Sequence, residues 1–187
     1  MIAYRHADPR LPFFWEGTRQ PAARWHEADD GPVQYLADTP DGAWAEFLRH
    51  EEIQDPDDVA TIRRALWAVE IGESPGAAPE LPIATMTGGS DSYVACRVEA
   101  ARLRASGVTR IDAPSAALAD ARPYVVRGGL QPSAPRPSRT IVFFGVPPAR
   151  GWRAAAEGRP HRELLTRVRP LTAPGRAVRG GVRTSST

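Results

Sequence analysis

The stretch VQYLADTPDGAWAEFLRH, residues 33–50, decides the fold because it holds a strand, a turn and a helix in direct succession. Val33–Ala37 has β-forming residues and is bounded by turn-forming residues, which predicts a short strand. Thr39 or Asp41 can cap the first turn of a helix, and the pattern predicts that this helix runs to about His50.

One face of this helix is predicted to be buried. Ala43, Phe47 and His50 recur at helical spacing, so we expect them to face the interior. Glu46 lies about one turn from Ala43 and from His50. Its carboxylate is therefore expected beside the buried stripe.

Mixed α and β structure is expected on both sides of this stretch. Further strands are predicted at 2–5, 64–71, 124–127, 140–146 and 164–169. Segments 72–89 and 131–139 are rich in Gly, Pro or Ser and are predicted to be loops. A second helix is predicted at 92–106, capped by Ser90 or Asp91 and ended by Gly107, with one apolar face formed by Val94, Val98, Ala101 and Ala105.

Length and composition favour one domain. The chain has 187 residues, of which 42% are hydrophobic, and we expect a single domain at 1–172 followed by a basic, disordered tail at 173–187. No apolar run approaches the roughly 20 residues of a membrane helix, and residues 1–10 are too polar for a secretory signal, so a cytoplasmic protein without membrane contact is expected. The single Cys96 excludes an intramolecular disulfide and is interpreted as a buried thiol.

The charge is unevenly distributed along the chain. Residues 1–100 contain 8 Arg and 18 acidic residues, whereas residues 101–187 contain 16 Arg and 4 acidic residues. The basic half can meet an anionic partner, or the two halves can neutralise each other in the folded protein. We favour mutual neutralisation, and expect no direct nucleic-acid binding because motifs that interleave aromatic and basic residues are missing.

Five polar residues are the candidate site: Arg5, Arg24, Tyr35, Glu46 and Ser115. Two guanidinium groups can hold a pyrophosphate through charge-assisted hydrogen bonds, and a carboxylate can stabilise a positively charged sugar. This combination suits a site that consumes NAD. Glycosidic cleavage of NAD passes through an oxocarbenium-like state, for which Glu46 is the candidate stabilising group.

Each of these residues also has an ordinary structural interpretation. Glu46 can be a surface acid and the arginines can be solvated cations. Tyr35 can stack on nicotinamide, bond a ribose or phosphate, or simply pack in its strand. Ser115 can cap a helix or orient Glu46 or the ribose. His26, beside Arg24, is a further candidate for substrate contact.

Other nucleotide and metal motifs are missing from the sequence. It has no Gly-rich dinucleotide fingerprint, no phosphate loop with Lys, no paired His at zinc spacing and no calcium-loop pattern. We therefore expect no metal and no prosthetic group, with NAD as substrate only.

Several short runs together resemble the RES family, named for its Arg, Glu and Ser. The similarity spans about residues 2–171 and departs from the family in Ala22-Ala23 and in His26, where Asn is usual. The runs that carry it are Tyr4-Arg5, Arg24-Trp25-His26, Val33-Gln34-Tyr35-Leu36-Ala37, Ala45-Glu46-Phe47, Ala113-Pro114-Ser115-Ala116, Gly158-Arg159-Pro160 and Leu164-Leu165-Thr166-Arg167-Val168-Arg169.

The resemblance implies a fold, an activity and a partner. The implied fold is a single α+β domain with a mixed, split β-sheet flanked by helices, similar to ADP-ribosylating toxins. The implied function is that of a bacterial toxin that degrades NAD by hydrolysis or phosphorolysis and is neutralised by a helix-turn-helix (Xre-like) antitoxin. The implied catalytic residues are Glu46, Arg24 and Ser115, and the implied NAD-binding residues are Arg5, Arg24, Tyr35 and His26. The alternatives are mono-ADP-ribosyl transfer to a protein and a non-catalytic basic interaction module.

Overall fold

The computed structural model describes residues 1–8, 10, 13–72, 74–126, 130–147 and 153–171. Its strands are β1 (Ile2–Ala7), β2 (Val33–Ala37), β3 (Arg64–Glu70), β4 (Arg110–Pro114), β5 (Asp120–Ala121), β6 (Tyr124–Val126), β7 (Leu130–Pro132), β8 (Arg136–Pro137), β9 (Arg139–Phe144) and β10 (Arg153–Gly158). Its α-helices are α1 (Pro40–His50), α2 (Pro56–Thr61), α3 (Ile83–Thr87) and α4 (Tyr93–Ala105), and two 3-10 helices lie at Ser90–Ser92 and Arg162–Arg167.

Six strands form the main sheet, in the order β10-β3-β1-β2-β9-β4, and each neighbouring pair is antiparallel. Strands β5 and β8 and strands β6 and β7 form two separate ribbons. Among the described residues, a bridge between Ala77 and Ile111 adds a parallel pairing. The predicted α+β domain with a split sheet and flanking helices is confirmed.

Helix α1 begins where its sequence predicts. The Thr39 side chain accepts a hydrogen bond from the backbone N–H of Gly42 at 3.1 Å, so Thr39 is the cap. Ala43 and Phe47 are buried as expected. His50 is exposed, contrary to the prediction, because it is the last residue of the helix and lies beyond the packed stripe.

Three hydrophobic clusters surround the sheet. The first joins α1 and α2 to Leu118 and Leu164. The second joins α4 to β4 and β9 around Trp25. The third packs Leu36 and Val69 on the opposite face of the central strands. Strands β2 and β9 contribute side chains to both faces, which fixes their register.

Helix α4 forms near the predicted bounds, but the predicted cap and buried face are wrong. Ser90 and Asp91 lie in a 3-10 turn, and Ser92 at the N-cap makes no side-chain capping hydrogen bond. Val94 and Val98 are each 67% exposed. The stripe that packs inward is Cys96, Glu99, Ala100 and Leu103, and the exposed stripe is Val94, Val98, Ala101 and Ala105. Glu99 can be buried because it accepts a hydrogen bond from the Glu80 backbone N–H at 2.8 Å and pairs with Arg102 at 2.7 Å. The predicted buried thiol of Cys96 is confirmed.

The strand predicted at 164–169 is wrong, because Arg162–Arg167 is a 3-10 helix. The N–H of Leu164 bonds the His161 carbonyl at 3.1 Å, and this turn directs Leu164 into the first cluster. Among the described residues, Val168 forms an isolated bridge to Leu118.

The other boundaries shift by a few residues. The strand predicted at 2–5 extends to Ala7, and the strand predicted at 140–146 is Arg139–Phe144. The segments predicted to be loops contain helix α3 and strand β8. Strands β4 and β10 were not predicted from the sequence. The predicted tail at 173–187 lies outside the described residues. In the part of the chain that is described, no helix is long and apolar enough to cross a membrane.

Candidate active site

The main sheet is split between β1 and β2. These strands share one register pair, Tyr4 with Ala37, whereas β1 pairs with β3 at six positions and β2 with β9 at five. From Arg5 onward β1 departs from β2. Gln34 bridges the gap with its side chain, because its Oε1 accepts hydrogen bonds from Arg5 Nη1 at 2.7 Å and from the Trp15 backbone N–H at 3.0 Å.

A cavity of about 330 Å³ opens at this split. Its size lies at the lower end of the range of about 300–1,000 Å³ that is typical of small-molecule sites. Four of the predicted residues line it: Arg5, Arg24, Tyr35 and Glu46. The structure therefore brings together side chains from β1, β2, α1 and the turn that precedes β2.

The carboxylate of Glu46 is held by one oxygen. Glu46 Oε1 accepts hydrogen bonds from Ser115 Oγ and from Thr140 Oγ1, each at 2.9 Å. No hydrogen bond to Glu46 Oε2 is present among the described residues, and the side chain lines the cavity. The arrangement fixes the orientation of the carboxylate and leaves one oxygen to act on a ligand.

Ser115 orients Glu46, one of the roles considered from the sequence, whereas the helix cap is wrong because no helix follows it and its hydroxyl closes a turn instead. Its hydroxyl donates to Glu46, and it accepts hydrogen bonds from the backbone N–H groups of Ala117 at 3.2 Å and Leu118 at 3.1 Å. Ser115 is buried and directly follows strand β4. It therefore closes the turn after β4 and orients the cavity carboxylate at the same time.

Three arginines line the cavity without a carboxylate partner among the described residues. They are Arg5, Arg24 and Arg49, of which the last two are 6% and 5% exposed. Burial lowers the pKa of Arg5 to about 10, so it remains cationic at neutral pH. Buried charges without counterions are costly, and such sites gain free energy when an anion binds.

Arg24 and Arg49 meet at one carbonyl oxygen. Arg24 Nη2 and Arg49 Nη2 each donate to the Gly88 carbonyl at 2.7 Å. Arg24 Nη1 also donates to Ser92 Oγ at 2.9 Å, and its Cζ lies 4.5 Å from the ring centre of Tyr93. Burial, followed by the charge of Arg24, lowers the pKa of Arg49. These contacts form a compact positive wall.

Sequence reasoning missed Arg49 and Tyr93, and both line the cavity. Arg49 could have been found from the sequence, because it follows Glu46 by about one turn on a helix that was predicted and therefore shares a face with it. Tyr93 lies at the start of α4, far from the other residues in sequence. Only tertiary packing brings it to the site.

His6 and His50 also line the cavity, and neither was assigned a role from the sequence. Burial, followed by the charges of Arg64, Arg5 and His50, lowers the pKa of His6 to about 3. His6 is therefore a neutral imidazole at physiological pH.

Tyr35 and His26 lie at the wall beside Arg24. The Tyr35 hydroxyl accepts a hydrogen bond from the Trp25 backbone N–H at 3.0 Å and lies 2.9 Å from His26 Nδ1. Tyr35 lines the cavity, whereas His26 is 1% exposed and lies behind it. The structure thus places His26 against Tyr35 and not in the cavity lining.

Fold and site define a class of protein: a single α+β domain with a split antiparallel sheet, whose cleft combines an oriented carboxylate with three arginines that have no carboxylate partner among the described residues. The model of the RES domain family matches residues 2–167. The chain belongs to the RES domain family, and the resemblance found in the sequence is confirmed.

A solved structure has the same fold. One chain of the crystal structure of the M. tuberculosis MbcT–MbcA toxin–antitoxin complex is 14% identical to this protein, with a TM-score of 0.56 over 88% of this chain and 86% of that chain. At this identity the likeness demonstrates the fold alone. A comparison with curated proteins gave no significant match.

Proposed function

We propose that this protein is an NAD-degrading enzyme, a glycohydrolase or phosphorylase, that acts as the toxin of a bacterial toxin–antitoxin pair. The observation that carries the proposal is the Glu46 carboxylate, which is fixed through Oε1, has no hydrogen bond at Oε2 from the described residues, and shares its cavity with three arginines that lack a carboxylate partner there. A dinucleotide has the matching chemistry, namely a dianionic diphosphate and a sugar that becomes cationic during cleavage.

The reaction breaks the bond between ribose C1′ and the nicotinamide nitrogen. The bonding electron pair leaves with nicotinamide, which becomes neutral, and the sugar takes on oxocarbenium character. Glu46 Oε2 would stabilise that positive charge by proximity or by holding a ribose hydroxyl. An oxygen of water or phosphate then bonds to C1′, and the acceptor proton passes to solvent.

The arginines would supply binding energy and position. Arg5 lies on β1, Arg49 on α1 and Arg24 in the turn before β2, and all three line the cavity, so a diphosphate there could be held by guanidinium groups from three separate segments. Each hydrogen bond between a charged donor and acceptor contributes roughly 1.5–3 kcal/mol. Since an oxocarbenium is very electrophilic, a weakly activated acceptor suffices, and no histidine is assigned as a general base.

The toxin role rests on family membership and on the fold shared with a chain of a toxin–antitoxin complex. We propose that a helix-turn-helix antitoxin covers the cavity entrance and that the protein acts in the cytoplasm. NAD is then the substrate, and no prosthetic group takes part.

Incubation with NAD tests the proposal. The purified protein should release nicotinamide together with ADP-ribose, or with its phosphorylated form when phosphate is present. Glu46→Gln should reduce release at least 100-fold, while the matched surface variant Glu51→Gln should keep parental activity. Absence of release at high enzyme concentration, or a fully active Glu46→Gln, would contradict the proposal, and a labelled protein acceptor would indicate ADP-ribosyl transfer.

A further inference from the structure

A chain of side-chain hydrogen bonds runs behind the cavity wall, from Gln20 through His26 to Tyr35. Gln20 Nε2 lies 2.6 Å from His26 Nε2, and His26 Nδ1 lies 2.9 Å from the Tyr35 hydroxyl oxygen. His26, the middle residue of this chain, is 1% exposed, so its imidazole is shielded from solvent. The chain therefore determines where protons reside at Tyr35.

The amide of Gln20 has a defined orientation. Its Oε1 accepts a hydrogen bond from the Val33 N–H at 3.0 Å, and its Nε2 donates to the Val33 carbonyl at 3.2 Å. If the amide were flipped, the Gln20 NH₂ group would face the Val33 N–H, donor against donor. The Gln20 oxygen would then face the Val33 carbonyl, acceptor against acceptor. The backbone of Val33 thus directs an N–H group of Gln20 toward His26.

This orientation selects the tautomer of His26. A proton on His26 Nε2 would oppose the Gln20 amide N–H across 2.6 Å, which is too short for two donors. The competing contact, from His26 Nε2 to the Pro21 carbonyl, is longer at 3.1 Å. Nε2 is therefore the acceptor, and the single proton of the neutral imidazole lies on Nδ1 and is donated to Tyr35.

The Tyr35 hydroxyl then has a proton to donate. Its oxygen accepts two hydrogen bonds, from His26 Nδ1 and from the Trp25 N–H. No acceptor for the hydroxyl proton is present among the described residues. Burial lowers the pKa of His26 and raises that of Tyr35, so both groups are neutral at physiological pH.

We propose that Gln20 and His26 are positioning residues that hold the Tyr35 hydroxyl as a hydrogen-bond donor to an oxygen atom of the ligand in the cavity. That this ligand is a dinucleotide rests on the proposed function, whereas the tautomer does not. With the opposite tautomer, Tyr35 would donate to His26 Nδ1 and would offer the ligand no donor.

The tautomer can be measured in the free protein. Long-range ¹H–¹⁵N correlation NMR of the imidazoles, with His26 assigned by its loss in His26→Asn, should show the proton on Nδ1. Gln20→Glu should move it to Nε2 because a carboxylate accepts from that nitrogen, while Gln54→Glu, at an exposed position, should leave it on Nδ1. A proton on Nε2 in the parent protein would overturn the proposal.

Ligand affinity tests the consequence at Tyr35. ADP-ribose, titrated by calorimetry, should bind Tyr35→Phe and His26→Leu roughly tenfold more weakly than the parent. His26→Asn should stay within about threefold, because its amide N–H can replace the Nδ1–H donor. Equal losses in the Leu and Asn variants would contradict the proposal. A protein with the Nδ1 tautomer but no NAD turnover would refute the proposed function and leave this inference standing.

Discussion

Replacement of Arg49 by methionine should change stability and ligand affinity in opposite directions. The Nη2 atoms of Arg24 and Arg49 each lie 2.7 Å from the Gly88 oxygen, so they are at most about 5.4 Å apart. Two unit charges at that distance repel by roughly 3 kcal/mol at an effective dielectric constant of about 20. Arg49→Met removes this repulsion from the folded state.

The loss of the Arg49 hydrogen bonds and of its attraction to the Glu46 carboxylate offsets part of that gain. A hydrogen bond from a charged donor contributes roughly 1.5–3 kcal/mol, but the Gly88 carbonyl keeps its bond to Arg24 in the variant. We therefore expect stability to be unchanged or up to about 1.5 kcal/mol higher. For a chain of this length that is a rise in Tm of at most about 6 °C.

Anion binding should weaken in the same variant. Loss of one charge-assisted contact predicts a 10- to 100-fold weaker Kd for ADP-ribose, measured by calorimetry at low ionic strength. Arg63→Met is the matched control, since Arg63 also donates to backbone carbonyls but lies exposed and away from the cavity. A large loss of stability with an unchanged Kd would refute the reasoning, because Arg49 would then be a structural brace.

Three further predictions concern the core and the carboxylate. Ser115→Ala should lower the free energy of unfolding by about 2–3 kcal/mol because it leaves two buried N–H groups without a hydrogen-bond partner. Thr140→Val should lower it by about 1 kcal/mol, and equal losses in urea unfolding would contradict this. Leu103→Ala should lower the free energy of unfolding by about 2–5 kcal/mol, whereas Val98→Ala should lower it by less than about 0.5 kcal/mol, because Leu103 is buried and Val98 is exposed on the other face of α4. Similar shifts in Tm for the two variants would contradict that packing. The pKa of His6 lies at about 3, below its unfolded value near 6.5, so the unfolded chain takes up a proton first and stability falls as pH drops from about 6.5 toward 3. At pH 5 the loss is on the order of 2 kcal/mol, and His6→Asn should flatten the slope between pH 7.5 and 5, which an unchanged slope would contradict.

Local signals predicted the segment from β2 to α1. A β-forming run bounded by turns specifies Val33–Ala37, and a threonine before a proline at the first helical position specifies the start of α1. The positive φ of Gly107 similarly accounts for the predicted end of α4. These features depend on neighbours in sequence and on backbone chemistry.

Tertiary packing decided what local signals could not. On α4, a stripe of Val and Ala is as regular as the stripe of Cys96, Ala100 and Leu103, and only the latter faces the second hydrophobic cluster. Burial of Glu99 also depends on a partner at Glu80, nineteen residues away in sequence. Periodicity alone could not rank the two faces.

The candidate site was predictable in part. Family-like runs supplied the four polar residues that line the cavity, but the split between β1 and β2 that brings them together is a property of strand pairing. Arg49 joins the site through its hydrogen bond to the Gly88 carbonyl, and Tyr93 joins it through its ring, which packs against Arg24. Such convergence depends on contacts that no short pattern encodes.

The most direct test of the account is the structure of Glu46→Gln in complex with NAD. We predict that the diphosphate lies between Arg5 and the pair Arg24–Arg49, and that ribose C1′ faces the side-chain amide at position 46. NAD bound outside the split between β1 and β2, or bound there with its diphosphate away from all three arginines, would contradict it.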